Sequence, residues 1–139
     1  MKSGGKGTNV TMVTAVSASG NTVPPMFVFP RKNYKDYFGY NGPPDCNGVD
    51  NGSGWVTDIK FKNFMQHLIR HVKPSNEYKI LLILDNHSSH LHFETLNLAK
   101  ENRIVIFSFP PHSSHKLQPL DVSVFGPLKK YLSVAQDAC

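Results

Sequence analysis

Residues 81–90 read LLILDNHSSH. Leu81, Leu82, Ile83 and Leu84 form an uncharged apolar run, the pattern of a buried strand. The run stops at Asp85, followed by Asn86, His87 and His90. A strand that ends in a carboxylate places it at the rim of a sheet, rigidly aimed and partly solvated. Rigid carboxylates suit hard cations such as Mg²⁺ or Mn²⁺, which take oxygen ligands in near-octahedral geometry.

Working outward, IVIFSF (104–109) is a second apolar strand, closed by Pro110-Pro111. Between the two, the pattern predicts a helix over about 91–101. Upstream, Thr57-Asp58 reads as an N-cap. Ile59, Phe61, Phe64, Met65, Leu68 and Ile69 then recur at helical spacing until Pro74. Further upstream, NVTMVTAVSASG (9–20) and TVPPMFVFP (22–30) flank the turn signal Gly20-Asn21 and read as a hairpin. Pro24 and Pro25 predict that its second strand starts late or lies at an edge. Residues 31–54 are rich in Gly, Pro, Asn and Asp and read as one long loop. A last helix is expected from Pro119 or Asp121 to Leu132. The order β-β-α-β-α-β-α predicts an α/β fold, with the later strands parallel and covered on both faces. Sites in such folds assemble at strand tips.

The chain has 139 residues, a hydrophobic fraction of 40%, a net charge of +5 and a pI near 9.3. These fit a single globular domain with a lean toward polyanionic partners. Cys46 and Cys139 show neither disulfide nor metal spacing. The first residues, MKSGGKGTNV, lack the apolar core of a signal peptide. No apolar run reaches the roughly 18 residues of a membrane span. The expectation is a soluble protein that is not secreted.

The next carboxylate of interest is Asp121, in LQPLD. One helix, one strand and one loop separate it from Asp85, enough to bring the chain back to the same rim. Two such carboxylates could share a cation and work on a phosphodiester. On spacing alone, Asp85-Asn86 as a strand-ending turn and Asp121 as a helix cap is the commoner reading.

ILDNHSSH (83–90) together with PPHSSHKLQPLDVSVFGPLKK (110–130) resembles the catalytic domain of the pogo and Tigger (jerky-like) branch of Tc/mariner transposases. These are DDE endonucleases with an RNase H-like fold. VTAVSASGNTVPPMFVF (13–29) is similar to that family's second and third strands, and the likeness runs from about residue 8 to 132. The resemblance implies an RNase H-like mixed sheet flanked by helices, with Asp85 and Asp121 as the second and third catalytic acids and metal ligands. It implies a Mg²⁺ or Mn²⁺ cofactor, DNA as partner and a nuclear location. Asn86, His90 and His112 then neighbour the acidic site.

The family's first acid lies on a strand ahead of the hairpin. Here no Asp or Glu precedes Asp36, which falls in the long loop, and residues 1–8 (MKSGGKGT) read as a loose N-terminus. The first acid and its central strand are therefore expected to be absent. On this reading residues 9–132 are a partial catalytic domain and 133–139 a C-terminal tail. The metal would bind weakly if at all, and an unpaired sheet edge would invite self-association. Two readings of the chain follow: a catalytically incomplete, transposon-derived domain, or a segment of an active transposase whose first Asp lies upstream.

Five of the seven histidines fall between positions 87 and 115. The pairs His87/His90 and His112/His115 admit a third reading, a small α/β domain with a histidine-rich zinc site. His67 and His71 are expected at the surface. Lys116, Lys129 and Lys130 near Asp121, and Arg31, Lys32 and Lys35 in the loop, are expected phosphate contacts. Trp55, Phe61, Phe64, Phe93 and Phe125 are expected in the core.

Overall fold

The computed structural model describes residues 10–30, 32–33, 35 and 40–137, with the backbone alone at 89, 114, 115, 136 and 137. Arg31, Asp36 and Cys139 lie outside the described residues, as does the side chain of His115.

The hairpin forms where the turn signal placed it. Strand β1 (Thr11–Val13) pairs antiparallel with β2 (Met26–Phe29). Gly20 takes φ 88° at the turn, a conformation that favours glycine. The ladder survives as a single bridge, Val16 to Thr22, and then breaks at Pro24-Pro25. Neither proline has an N–H to give, so β2 starts only at Met26.

The long loop holds a strand that composition hides. Strand β3 (Asn47–Asp50, NGVD) runs parallel to β2. Asn47 N–H donates to the Pro25 carbonyl at 3.1 Å, and Asn51 N–H to Phe29 at 2.9 Å. Gly, Asn and Asp are poor strand formers. A neighbouring strand with free carbonyls overrides that preference.

Helix α1 (Asp58–Val72) starts at the expected cap residue, although the Thr57 side chain makes no capping bond. It ends at Lys73, whose left-handed backbone sends its N–H to the Ile69 carbonyl, just ahead of Pro74. Strand β4 (Ile80–Leu84), helix α2 (Phe93–Glu101) and strand β5 (Ile104–Ser108) follow. Strands β4 and β5 pair in parallel, as their apolar runs predicted. The last expected helix is divided. A short α3 (Ser114–Leu117) leads to a π-turn over Leu120–Val124, and α4 (Phe125–Asp137) runs past the expected end at Leu132.

The described strands make two sheets, β1-β2-β3 and β4-β5. The architecture is a mixed α/β one, compatible with an RNase H-like fold. One core serves both sheets. Met26 and Val28 from β2, Leu84 from β4, Ile104 from β5 and Ala99 from α2 converge on Phe61, Phe64, Met65 and Leu68 of α1. Lys62 on α1 reaches Glu94 on α2 at 2.7 Å, and this bond holds the Glu94 carboxyl below its usual range.

Several burial expectations are corrected. Trp55 and Phe93 are exposed, at 64% and 72%, and Phe125 is half-buried. His67, expected at the surface, is fully buried, because its Nε2–H donates to the Pro24 carbonyl at 2.7 Å. That bond satisfies a carbonyl where the hairpin ladder is interrupted. His71 remains exposed. The sheet β4-β5 is covered on one face only: Leu81, Ile83, Val105 and Phe107 are between 47% and 61% exposed. Helix α4 could have covered them, but it rests mainly on the π-turn and leaves Tyr131, Leu132 and Val134 exposed.

Candidate active site

Asp85 is the residue immediately after β4, half-buried at the sheet's rim. A short 3-10 turn, Ser88–His90, folds the chain back over it. His90 Nδ1 thereby comes to 2.6 Å from Asp85 Oδ1 and 3.4 Å from the Asp85 carbonyl. The side-chain contact is short, yet its angle is poor for a hydrogen bond. Asp85 Oδ1 is thus buried without a well-aligned donor. The His90 ring lies over Phe61, centroids 4.1 Å apart, and 5.4 Å from His87. Burial against this aromatic wall lowers the His90 pKa and outweighs the opposing pull of the Asp85 carboxylate.

Asn86 ties the rim together. Its Oδ1 accepts from Ser108 Oγ at 3.3 Å, which joins the ends of β4 and β5. An open groove of about 480 Å³ lies beside the turn, lined by Val56, Thr57, Asp58, Ile59, His87 and Ser88. Asp121 stands in the first turn of the π segment and is exposed. His112 is exposed and takes a left-handed backbone, φ 61°. Lys116 on α3 and Lys129 and Lys130 on α4 are all exposed.

The structure therefore joins Asp85 to His90 and Asn86 to Ser108. Among the described residues no three His, Cys, Asp or Glu side chains converge where they could hold a metal ion. The chemistry of the donors suits a hard cation: Asp85 offers a buried oxygen lacking an aligned donor. Their number does not, so the described residues make a partial ligand set. The zinc reading likewise has no three-donor cluster behind it among the described residues. Phe61 is the site residue that sequence reasoning placed only in the core. Its helical spacing announced burial, and nothing in it announced that a histidine would lie on the ring.

The profile of the DDE superfamily endonucleases matches residues 6–137. The chain belongs to that family. The match spans both motifs, so Asp85 at the strand tip and Asp121 in the following block fall within the family's region. This DDE endonuclease-family chain is also 33% identical, over 126 residues, to a protein of Cochliobolus lunatus named MFS-type transporter clz9. The similarity covers 89% of this chain but 14% of that relative. The chain thus spans only a small part of that relative's length. Among the described residues no helix is long and apolar enough to cross a membrane. No solved structure matches the chain.

One consequence of the site is pH dependence. His90 and His67 both have pKa values lowered chiefly by burial. The folded state therefore resists protonation more than the unfolded chain does. The stability that these two neutral rings permit is complete above the ordinary histidine value of 6.5. It falls as pH drops below that value toward the folded-state pKa values. Thermal melts should show a midpoint that declines from pH 7.5 to pH 5, with a smaller decline in His67→Asn and His90→Asn. A midpoint flat across that range would rule this out.

Proposed function

We propose that this chain is a transposon-derived DDE endonuclease-like domain of the pogo-Tigger branch. It binds nucleic acid in the nucleus and is catalytically incomplete as it stands. One observation carries the reading. In a chain of this family, the carboxylate at the tip of β4 lies beside a histidine, with no third metal-ligating group converging among the described residues.

Each residue has a role in this reading. Asp85, stiffened by β4 and by the His90 ring beside it, is one oxygen ligand of a Mg²⁺ or Mn²⁺ ion; Asp121 is the other. When bound, such an ion activates a water or steadies the leaving oxygen of a phosphodiester. Two carboxylates bind it weakly, and a two-ion clamp lacks its bridging ligand. His112 lies next to the acidic block, where an imidazole can meet a phosphate. Lys116, Lys129 and Lys130 contact the backbone of DNA, adding affinity without sequence information.

Binding to DNA fragments across a salt series tests the nucleic-acid part. Affinity should fall steeply with salt and vary little with sequence. Lys129→Ala or Lys130→Ala should each lower the salt slope by about one unit. Affinity indifferent to salt, or confined to one sequence, would contradict the proposal.

A second reading has an observation of its own. The chain spans 14% of its transporter-named relative, so a domain of this kind can occur within a longer protein. In that case this is one segment of an active Mg²⁺-dependent transposase whose first Asp lies upstream. The first reading includes self-association through an unpaired sheet edge.

A further inference from the structure

An open cleft of about 370 Å³ lies between helix α2 and strand β5, at the end of the sheet where β4 and β5 begin. Leu96, Ala99, Ile104 and Ile106 form its apolar floor. Lys79, Lys100 and Arg103 stand around it, all exposed, and no carboxylate lines it. Among the described residues none of these three cations forms an ion pair. Arg103 is held in place: its Nε–H donates to Asn76 Oδ1 and its Nη1–H to the Glu101 carbonyl at 3.0 Å. Its backbone is left-handed, φ 60°, at a helix end where glycine or asparagine is favoured. Lys79 precedes β4 and Asp85 follows it, so the cleft and the candidate active site lie at opposite ends of the strand. At roughly 3.3 Å per residue they are about 20 Å apart.

The cleft also borders an open backbone edge. Ile80 N–H donates to the Arg103 carbonyl at 3.1 Å, and Phe109 N–H to the Leu84 carbonyl at 2.9 Å. Backbone groups alternate sides along a strand, so Val105 and Phe107 also face β4. The N–H and C=O of Ile104 and Ile106 therefore point away from β4, on the side where no described strand pairs. We propose that this edge and cleft take an extended acidic segment of a partner protein, added to β5 as a strand. Backbone bonds to Ile104 and Ile106 supply the pairing, and the apolar floor takes alternate side chains. Lys79, Lys100 and Arg103 take Asp or Glu residues at the segment's end. Charge chooses this occupant. A second copy of the chain would bring the same three cations against these. Duplex DNA would meet the cations, but it has neither apolar side chains for the floor nor a peptide backbone for the edge. This surface uses none of Lys116, Lys129 and Lys130, the proposed DNA contacts.

The test is fluorescence anisotropy on the 139-residue chain with a labelled synthetic peptide, alternating Val and Thr and ending in a run of Glu. Amide hydrogen exchange followed by NMR reads the edge. The wild-type chain should bind the peptide, and exchange at Ile104 and Ile106 should slow. Exchange at Val105 and Phe107, already paired with β4, should stay as it was. Of two versions of the peptide N-methylated at alternate backbone positions, only one should bind, since only one leaves the pairing side free. A peptide ending in Lys should not bind. Lys79→Glu with Lys100→Glu changes exposed side chains only and should weaken binding roughly tenfold or more, because it sets like charges together. A chain that ignores the Glu peptide would overturn the proposal. So would equal binding of both N-methylated versions, which would mean that no strand is added. Slow exchange at Ile104 and Ile106 in the peptide-free chain, growing with protein concentration, would give the edge to a second copy and refute the acidic partner. Duplex DNA that displaces the peptide, and binds the doubly reversed variant roughly tenfold less well, would give the cleft to DNA with the same result. DNA binding through Lys129 and Lys130 in the salt series is scored independently of all these outcomes.

Discussion

Supercoiled plasmid incubated with the purified 139-residue chain and Mg²⁺ or Mn²⁺ should remain uncut. The proposed metal site has two carboxylates where the mechanism calls for three, and metal-dependent cleavage rests on preorganised charge. Losing one such element from a site typically costs about 10² to 10³ in rate. Extending the chain upstream by a strand that ends in Asp should complete the site, and nicking should then appear. In the extended protein, Asp85→Asn and Asp121→Asn should each reduce nicking by about a hundredfold or more, because each removes an anionic ligand while keeping side-chain shape. Nicking by the short chain that is lost on Asp85→Asn would show the opposite. A carboxylate such as Asp36, Asp45 or Asp50 would then be supplying the third ligand.

Met65→Ala should be the most damaging single core change, lowering stability by about 2 to 5 kcal/mol. Met65 is fully buried on the face of α1 where residues of both sheets converge. Truncation leaves a cavity that neither sheet can fill by moving alone, since each is held by the same helix. With total stability for such a domain on the order of 5 to 15 kcal/mol, a loss at the upper end unfolds a sizeable fraction of molecules. Urea denaturation followed by circular dichroism measures it. An exposed control, Ile59→Ala, removes an apolar side chain that is 69% solvent-accessible and should change the midpoint little. Equal losses in the two variants would mean that α1 does not organise the core.

These two predictions draw on different kinds of legibility. The hairpin, the strands at 80–84 and 104–108 and the first helix were readable from hydrophobic periodicity and from Gly and Pro, because those signals are local. The placement of Asp85 at a strand tip was readable for the same reason: an uncharged run that ends in a carboxylate has one natural geometry. The family motifs at 83–90 and 110–130 drew attention to His90.

Tertiary structure alone decided the rest. Strand β3 exists because β2 offers it hydrogen-bonding partners, which NGVD does not announce. His67 is buried because an interrupted hairpin ladder leaves the Pro24 carbonyl in want of a donor, a need set by residues far off in sequence. Trp55 and Phe93 have core-like side chains, yet the packing of α1 and α2 turns them outward. The contact between His90 and Asp85 depends on a 3-10 turn and on Phe61 lying beneath the ring. Sequence determined which segments fold and where the carboxylate sits along its strand. Which faces stay open and which histidines become buried depend on long-range packing, and a local pattern carries no record of that.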